Sequence, residues 1–367
     1  MLRRLLCCVV SVGLLGVTAC SDDNGGSSDK TLTADAGDGA SSDASSNDGS
    51  SSDSSFSDTG VDTVSDTTSD TAPDTGPDPS GDCDPGYSSD GAGGCTPDPV
   101  SDPATRTRQE VCTRWTGYAP QAATLWAQEP TDECDWGELH PEAQGDAIRR
   151  LDLFRWLVGL DPVTTKPNYI EVTQACATTL AAEGAGLTHN IPSDYACYTQ
   201  EAATGASSSN IAYGVRNPAA TVDLYIGDRG VNSLGHRRWC LNPTMAATGF
   251  GQRGSYSCMY SFDRSQASSV DHVFYPSAGF FPRSALLGAW SAGSRSFNFG
   301  SSPEVTITNV SDSSIVQVNN VQKLRNGYAI DTISWEVPNA EADVEYEVTI
   351  ANGSNTLSYR TTLVDCP

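Results

Sequence analysis

The chain holds four histidines in 367 residues, and two of them stand in settings that invite chemistry. His189 lies in Leu187-Thr188-His189-Asn190-Ile191-Pro192, and His236 in Ser233-Leu234-Gly235-His236-Arg237-Arg238-Trp239. Between them come Ser209-Asn210-Ile211-Ala212-Tyr213-Gly214 and an acid, Asp228. Two imidazoles beside carboxylates can hold different protonation states at neutral pH and so divide general acid and general base work. Ser209 or Ser233, hydrogen-bonded to a histidine, would become a nucleophile. Against that, Gly230-Val231-Asn232-Ser233-Leu234-Gly235 is one residue out of register with a G-x-S-x-G elbow, and Ser233 reads better as a helix N-cap. A metal centre needs three or four ligands; two imidazoles are half of one, with Asp228 as a third. His140 and His272 read as hydrogen-bonded structural residues.

The elements that must position these groups follow from periodicity. Ile148, Leu151, Phe154, Leu157 and Val158 recur at helical spacing, which predicts a helix over Gly145 to Val158 with Arg149, Arg150 and Arg155 towards solvent. Asn168 can cap a second helix, Tyr169 to Glu183, whose Val172, Ala175, Cys176, Thr179 and Leu180 form one stripe before Gly184. Asn217, Pro218 and Gly227 bracket a third, and a short fourth, capped by Asn232 or Ser233, carries His236. After Pro243 the period becomes two: Tyr256, Cys258, Tyr260 and Phe262 alternate with polar residues, Ala247 to Gly251 is the hairpin partner, and Asp271 to Tyr275 is a further strand. Helices packed on a small antiparallel sheet give an α+β fold. Past Pro282 short β-rich runs (304–310, 315–318, 329–337, 344–350 and 357–363) separated by turn residues predict a β-sandwich, with Trp335 and Tyr346 in its core.

The order of histidine, strand-like turn, helix and histidine over roughly Gly145 to Tyr275 resembles the CAP superfamily (SCP domain), which includes cysteine-rich secretory and plant pathogenesis-related proteins. In that family a histidine follows the second helix, then come G-E-N-I-A, W-x-x-E and G-H-x; the matches here are His189, Ser209-Asn210-Ile211-Ala212, Tyr225-x-x-Asp228 and Gly235-His236-Arg237. The resemblance implies a CAP-type α-β-α sandwich over 111–275, and the β-rich runs that follow read on their own pattern as an immunoglobulin-like or fibronectin-like sandwich over 276–367. The resemblance also implies a central cleft in which His189 and His236 face each other with acidic partners, so that His189, His236, Asp228, Ser209 and Asn210 are the expected ligand-binding residues. No cofactor is required, although His189 and His236 could hold a zinc or magnesium ion weakly. One departure matters: Ser209 stands where the family has glutamate, and Asp228 is one methylene shorter than the family's second acid. Glu201 is the candidate to fill the gap. The expectation is therefore non-catalytic binding of an apolar, glycan or peptide ligand. The alternatives are a peptidase-like hydrolase using the same histidines, or an adhesion protein with a vestigial cleft.

The formal charge is −25, but fifteen aspartates and one lysine fall between residues 21 and 82 and account for −14 of it. The remainder carries no basic patch for a phosphate backbone, so nucleic acid is excluded as a partner. Arg3-Arg4, the apolar run Leu5 to Val17 and Thr18-Ala19-Cys20 read as a signal peptide over 1–19 that ends in a lipobox. Diacylglycerol on Cys20 would then anchor the chain to a bacterial outer membrane. Residues 20–110 read as a disordered Ser/Asp tether, about 45 Å from end to end over its first sixty-odd residues, with a small Cys83/Cys95 loop. Nine of the twelve cysteines remain for an oxidising compartment, and no zinc-binding spacing occurs among them. Sequence proximity suggests Cys83–Cys95, Cys112–Cys134, Cys176–Cys197 and Cys240–Cys258, with Cys366 left over. Replacing Cys20 by alanine should leave an unprocessed precursor or release the chain from the membrane fraction. Unchanged fractionation and mass would exclude the lipid anchor.

Overall fold

The computed structural model describes Thr33–Asp35, Cys83, residues 86–89 and residues 95–367. The leader, Cys20 and residues 21–82 apart from Thr33–Asp35 lie outside the described residues, whereas residues 95–110, expected to be disordered tether, pack on the fold, with Arg106 buried and donating to the Trp156 carbonyl. Those three tether residues run antiparallel to the Ser209–Tyr213 strand. Among the described residues no helix is long and apolar enough to cross a membrane.

Among the described residues six α-helices build the first part. Helix α1, Arg108–Thr116, starts at a capping box in which Thr107 and Glu110 satisfy each other's backbone donors. It escapes the periodicity argument because it buries only Val111 and Cys112. Helix α2, Pro141–Leu157, begins four residues before the expected Gly145, because Pro141 supplies the first turn and His140 Nδ1 accepts from the Glu142 amide at 3.3 Å. Helix α3 is Pro167–Glu183; Lys166, not Asn168, stands at its N-cap without a side-chain bond, and Gly184 ends it in the left-handed region. Helix α4, Gln200–Ser208, capped by Thr199, was not foreseen. Helix α5, Pro218–Gly227, has the expected Asn217 cap, but the left-handed residue that stops it is Asp228. Helix α6, Gly235–Cys240, starts from Leu234, so neither Asn232 nor Ser233 is its cap.

The helices cover both faces of a sheet in which Tyr256–Tyr260 is central, flanked antiparallel by Ser209–Tyr213 and Phe250–Arg253. Strand alternation sorts the side chains into two cores. Ile211, Tyr256 and Cys258 join Ala175, Cys176, Leu180, Ala202 and Ala206 of α3 and α4. Ala212, Phe250 and Met259 join Leu151 and Phe154 of α2 and Val222 and Ile226 of α5. At Gly205 and Gly251 a Cβ would strike the α3 backbone at Val172 and Thr173, so glycine is what lets α4 and the strand approach that helix. The arginines of α2 do not face water as expected. Arg155 is fully buried, donating to the carbonyls of Asp161 (2.8 Å), Cys240 (2.9 Å), Asn242 (2.9 Å) and Met245 (3.1 Å). Burial lowers its pKa only to about 10, so it stays charged at neutral pH.

The disulfides correct three of the four expected pairings. Cys83–Cys95 is present, whereas Cys112 joins Cys366, Cys134 joins Cys197, Cys176 joins Cys258, and Cys240 is a buried free thiol. The reason lies in the pleat: Cys258 points to the α3 face, and Cys240 sits in the opposite core, 3.9 Å from Met259. Proximity along the chain carries no information about which face of a sheet a thiol occupies.

Beyond residue 260 the strands form two further sheets. One has the order His272–Tyr275, Trp290–Ser294, Asp331–Glu336, Asn319–Lys323. The other runs Gly279–Pro282, Asn355–Val364, Glu345–Asn352, Glu304–Asn309, Ile315–Val316. His272–Tyr275 therefore pairs with Trp290–Ser294 and not with the first sheet, so a boundary drawn after Tyr275 cuts a strand away from its own sheet. Trp335 and Tyr346 are buried as expected, and their cluster runs on without a break into the α2/α5 core. The Arg283–Asp365 and Arg108–Asp343 ion pairs at this junction are exposed and add little. The covalent link between α1 and the C-terminus spans 254 residues. Changing Cys112 and Cys366 together to serine should destabilise the fold by roughly 2–4 kcal/mol, measured by urea unfolding. An unchanged midpoint would show that the bridge constrains nothing.

Candidate functional site

Asp228 ends α5 with φ 47°, a conformation that short polar side chains tolerate better than most residues. Its carboxylate turns back to the next helix, where Oδ1 accepts from His236 Nδ1 at 2.7 Å and Oδ2 accepts from the Arg237 amide at 3.2 Å. This bond puts the Nδ1 proton between ring and acid and leaves Nε2 as the other face of the imidazole. Nε2 is buried and has no hydrogen-bond partner. The ring is fully buried and stacks on Tyr225, with centroids 5.5 Å apart. Burial holds the Tyr225 phenol well above its ordinary pKa, and its hydroxyl donates to the Asn210 carbonyl at 2.9 Å.

Asn210 is equally enclosed. Its side-chain Nδ2 donates to the His236 carbonyl at 3.1 Å and to Cys240 Sγ at 3.5 Å, so it ties strand to helix. Burial, followed by the nearby Asp228 carboxylate, pushes the Cys240 thiol far up, which removes it as a nucleophile. Ser209 is both the C-cap of α4 and the first residue of its strand, and its hydroxyl is buried without a partner. His189, half-buried in the turn after α3, makes a 2.8 Å bond between Nδ1 and the Ala206 carbonyl, one turn before Ser209.

The junction of α4 with the Ser209–Tyr213 strand thus gathers the five expected residues by way of Ala206 and Asn210, but not as an open cleft. Asp228, His236, Ser209 and Asn210 are all buried, and only His189 reaches solvent. Glu201 does not replace the missing acid. It lies in the first turn of α4, about 12 Å along the axis from Ser209, and helical side chains lean towards the N-terminus, away from it. The donor set for a zinc or magnesium ion at His189 and His236 is likewise not assembled: among the described residues no three of His, Cys, Asp and Glu converge.

The two residues after His236 do more than the motif suggested. Arg237 is buried; Nε donates to the Ile226 carbonyl at 2.6 Å, Nη1 to the Ala289 carbonyl, and the guanidinium lies 4.2 Å over the Tyr275 ring. Arg238 donates to the carbonyls of Arg325 and Ile330, both at 2.8 Å. The helix that carries His236 therefore grips the C-terminal sheets through two arginines. The signal for this was on view in the sequence as an Arg-Arg-Trp run inside a short apolar-flanked helix.

The family model described as CAP: Cysteine-rich secretory protein family matches residues 148–275. No curated protein and no solved structure matches the chain. The matched span opens inside α2, closes with the His272–Tyr275 strand, and contains His189, Ser209, Asn210, Asp228 and His236 in the family's order. Residues 148–275 are accordingly a CAP domain of the cysteine-rich secretory protein family.

Proposed function

We propose that this protein binds an extracellular ligand without turning it over. In this reading lipidated Cys20 holds it at a bacterial outer membrane, the Ser/Asp tether spaces it from the surface, and the C-terminal sheets form an immunoglobulin-like or fibronectin-like sandwich that braces the CAP domain. The observation that carries the non-catalytic part is the burial of His236: a general acid or base must come within hydrogen-bond reach of a substrate, and this ring has no exposed atom. Ser209 cannot exchange a proton near neutral pH in place of the family's glutamate. Ligand contact within the CAP face falls on His189 and its surroundings.

One observation favours a second reading. Ser209 Oγ and His236 Nε2 are both buried and both unpaired, while Asp228 orients the imidazole as the acid of a nucleophile triad would. An opening of the α4 junction that brought them together would make a hydrolase. The two readings separate cleanly. Binding predicts that no peptide or ester hydrolysis exceeds background and that a fluorophosphonate probe leaves Ser209 unlabelled. Turnover lost in Ser209→Ala, with the melting midpoint unchanged, would establish the hydrolase. For stability, His189→Ala should stay within about 0.5 kcal/mol of the parent. His236→Ala, which strands the buried Asp228 carboxylate, should cost about 3–5 kcal/mol. Equal costs for the two would contradict the structural role given to His236.

A further inference from the structure

Between the α5–α6 loop and the near ends of the Trp290–Ser294 and Asp331–Glu336 strands lies a cleft of about 530 Å³. Small-ligand sites commonly measure roughly 300–1,000 Å³ and favour places where two packed units meet. This cleft is such a place. At Gly288 a Cβ would press on the Gly227 carbonyl, so the two backbones touch at its base. The floor is apolar, with Leu234 and Trp290 buried and Leu287 and Val337 half-buried.

The lining carries charges of opposite sign on two different elements. Arg229 comes from the α5–α6 loop of the CAP domain; its Nε donates to the Leu287 carbonyl at 3.0 Å, which fixes the stem, and its two terminal nitrogens have no partner among the described residues. Glu336 comes from the end of its strand; Oε2 accepts from Asn320 at 2.9 Å, and Oε1 has no partner among the described residues. The two charges do not pair with each other across the cleft. Asn232 and Gln322 add side-chain amides to the lining.

A guanidinium fork suits a carboxylate, and a carboxylate suits an ammonium group. Side-chain amides match peptide N–H and C=O groups, and an apolar floor takes an aliphatic side chain. We propose that this cleft binds a short peptide of two or three residues with both termini free, its carboxylate on Arg229, its ammonium group on Glu336 and an apolar side chain over Leu287 and Trp290. A neutral glycan would use neither charge, and a fatty acid would use Arg229 alone.

The probe is the tripeptide Ala-Leu-Ala, titrated calorimetrically into the full chain alongside its N-acetylated and C-amidated forms. Saturable binding is expected with free termini. Acetylation should weaken it about tenfold in the parent but not in Glu336→Gln, and amidation about tenfold in the parent but not in Arg229→Gln. Leu287→Trp, which fills the cleft, should abolish binding, whereas His189→Ala should bind as the parent does. Four results would each overturn the proposal: no saturation at millimolar peptide, termini that do not matter, fatty-acid binding dependent on Arg229 but not on Glu336, or peptide binding lost in His189→Ala. The last of these would move the peptide to the CAP face and leave the binding function standing. Absence of all Ala-Leu-Ala binding would count against the cleft alone, because the CAP-face reading is met equally by an apolar or glycan ligand.

Discussion

The fold turns on one buried carboxylate. Asp228 closes α5 in a left-handed conformation, receives the His236 ring on one oxygen and the Arg237 amide on the other, and thereby sets the direction in which α6 leaves the loop. Everything after it depends on that direction: Arg237 and Arg238 can reach the carbonyls of Ala289, Arg325 and Ile330 only because α6 is aimed at them. A carboxylate in this position must keep both partners, since a buried charge that loses one is far costlier than a solvated one. The histidine of a G-H motif is here a donor that satisfies this acid.

Buried guanidinium groups recur as the means of joining elements that offer carbonyls and no donors. Arg155 gathers four carbonyls, one from the last residue of α6 and two from the segment after it, and so ties α2 to the far end of the same helix that Asp228 ties to α5. Arg237 does the same across the junction with the C-terminal sheets. The planar fork with five donors fits such irregular acceptor sets, which a lysine could not satisfy. With a continuous apolar cluster beneath and Cys112–Cys366 around the outside, the CAP domain and the C-terminal sheets are packed as one unit.

This packing also explains why the CAP motif residues are enclosed. The serine at position 209 stands in place of a charged group that would have demanded solvent or a cation, and its hydroxyl, although buried without a partner, costs less to bury than that charge. His236 has Asp228 as its carboxylate partner, and the ring stacks on Tyr225. Among the five motif residues His189 alone is half-buried, and a cleft lined in part by Asp228 lies where the domain meets the C-terminal sheets.

Much of this was legible along the chain, because it depends on local physics. Apolar spacing placed α2 and α3, Asn217-Pro218 marked the start of α5, period-two alternation found the Tyr256–Tyr260 strand, and motif order identified the CAP span. Trp335 and Tyr346 could be assigned to a core because large aromatics in β-rich runs have few other places to go. What the sequence could not contain was the third dimension of each choice. Helix α4 is short and alanine- and serine-rich, so its stripe is too weak to see. The thiols at 176, 197, 240 and 258 are near one another in number but divided between two faces of a sheet, and only the pleat decides that Cys176 meets Cys258. Arg155 and Arg237 read as solvent-facing or merely basic until the carbonyls that bury them come together from distant segments. The same holds for the site: residue types fixed which groups were present, but whether His236 opens to a substrate or closes on Asp228 is set by long-range packing, to which local spacing is blind.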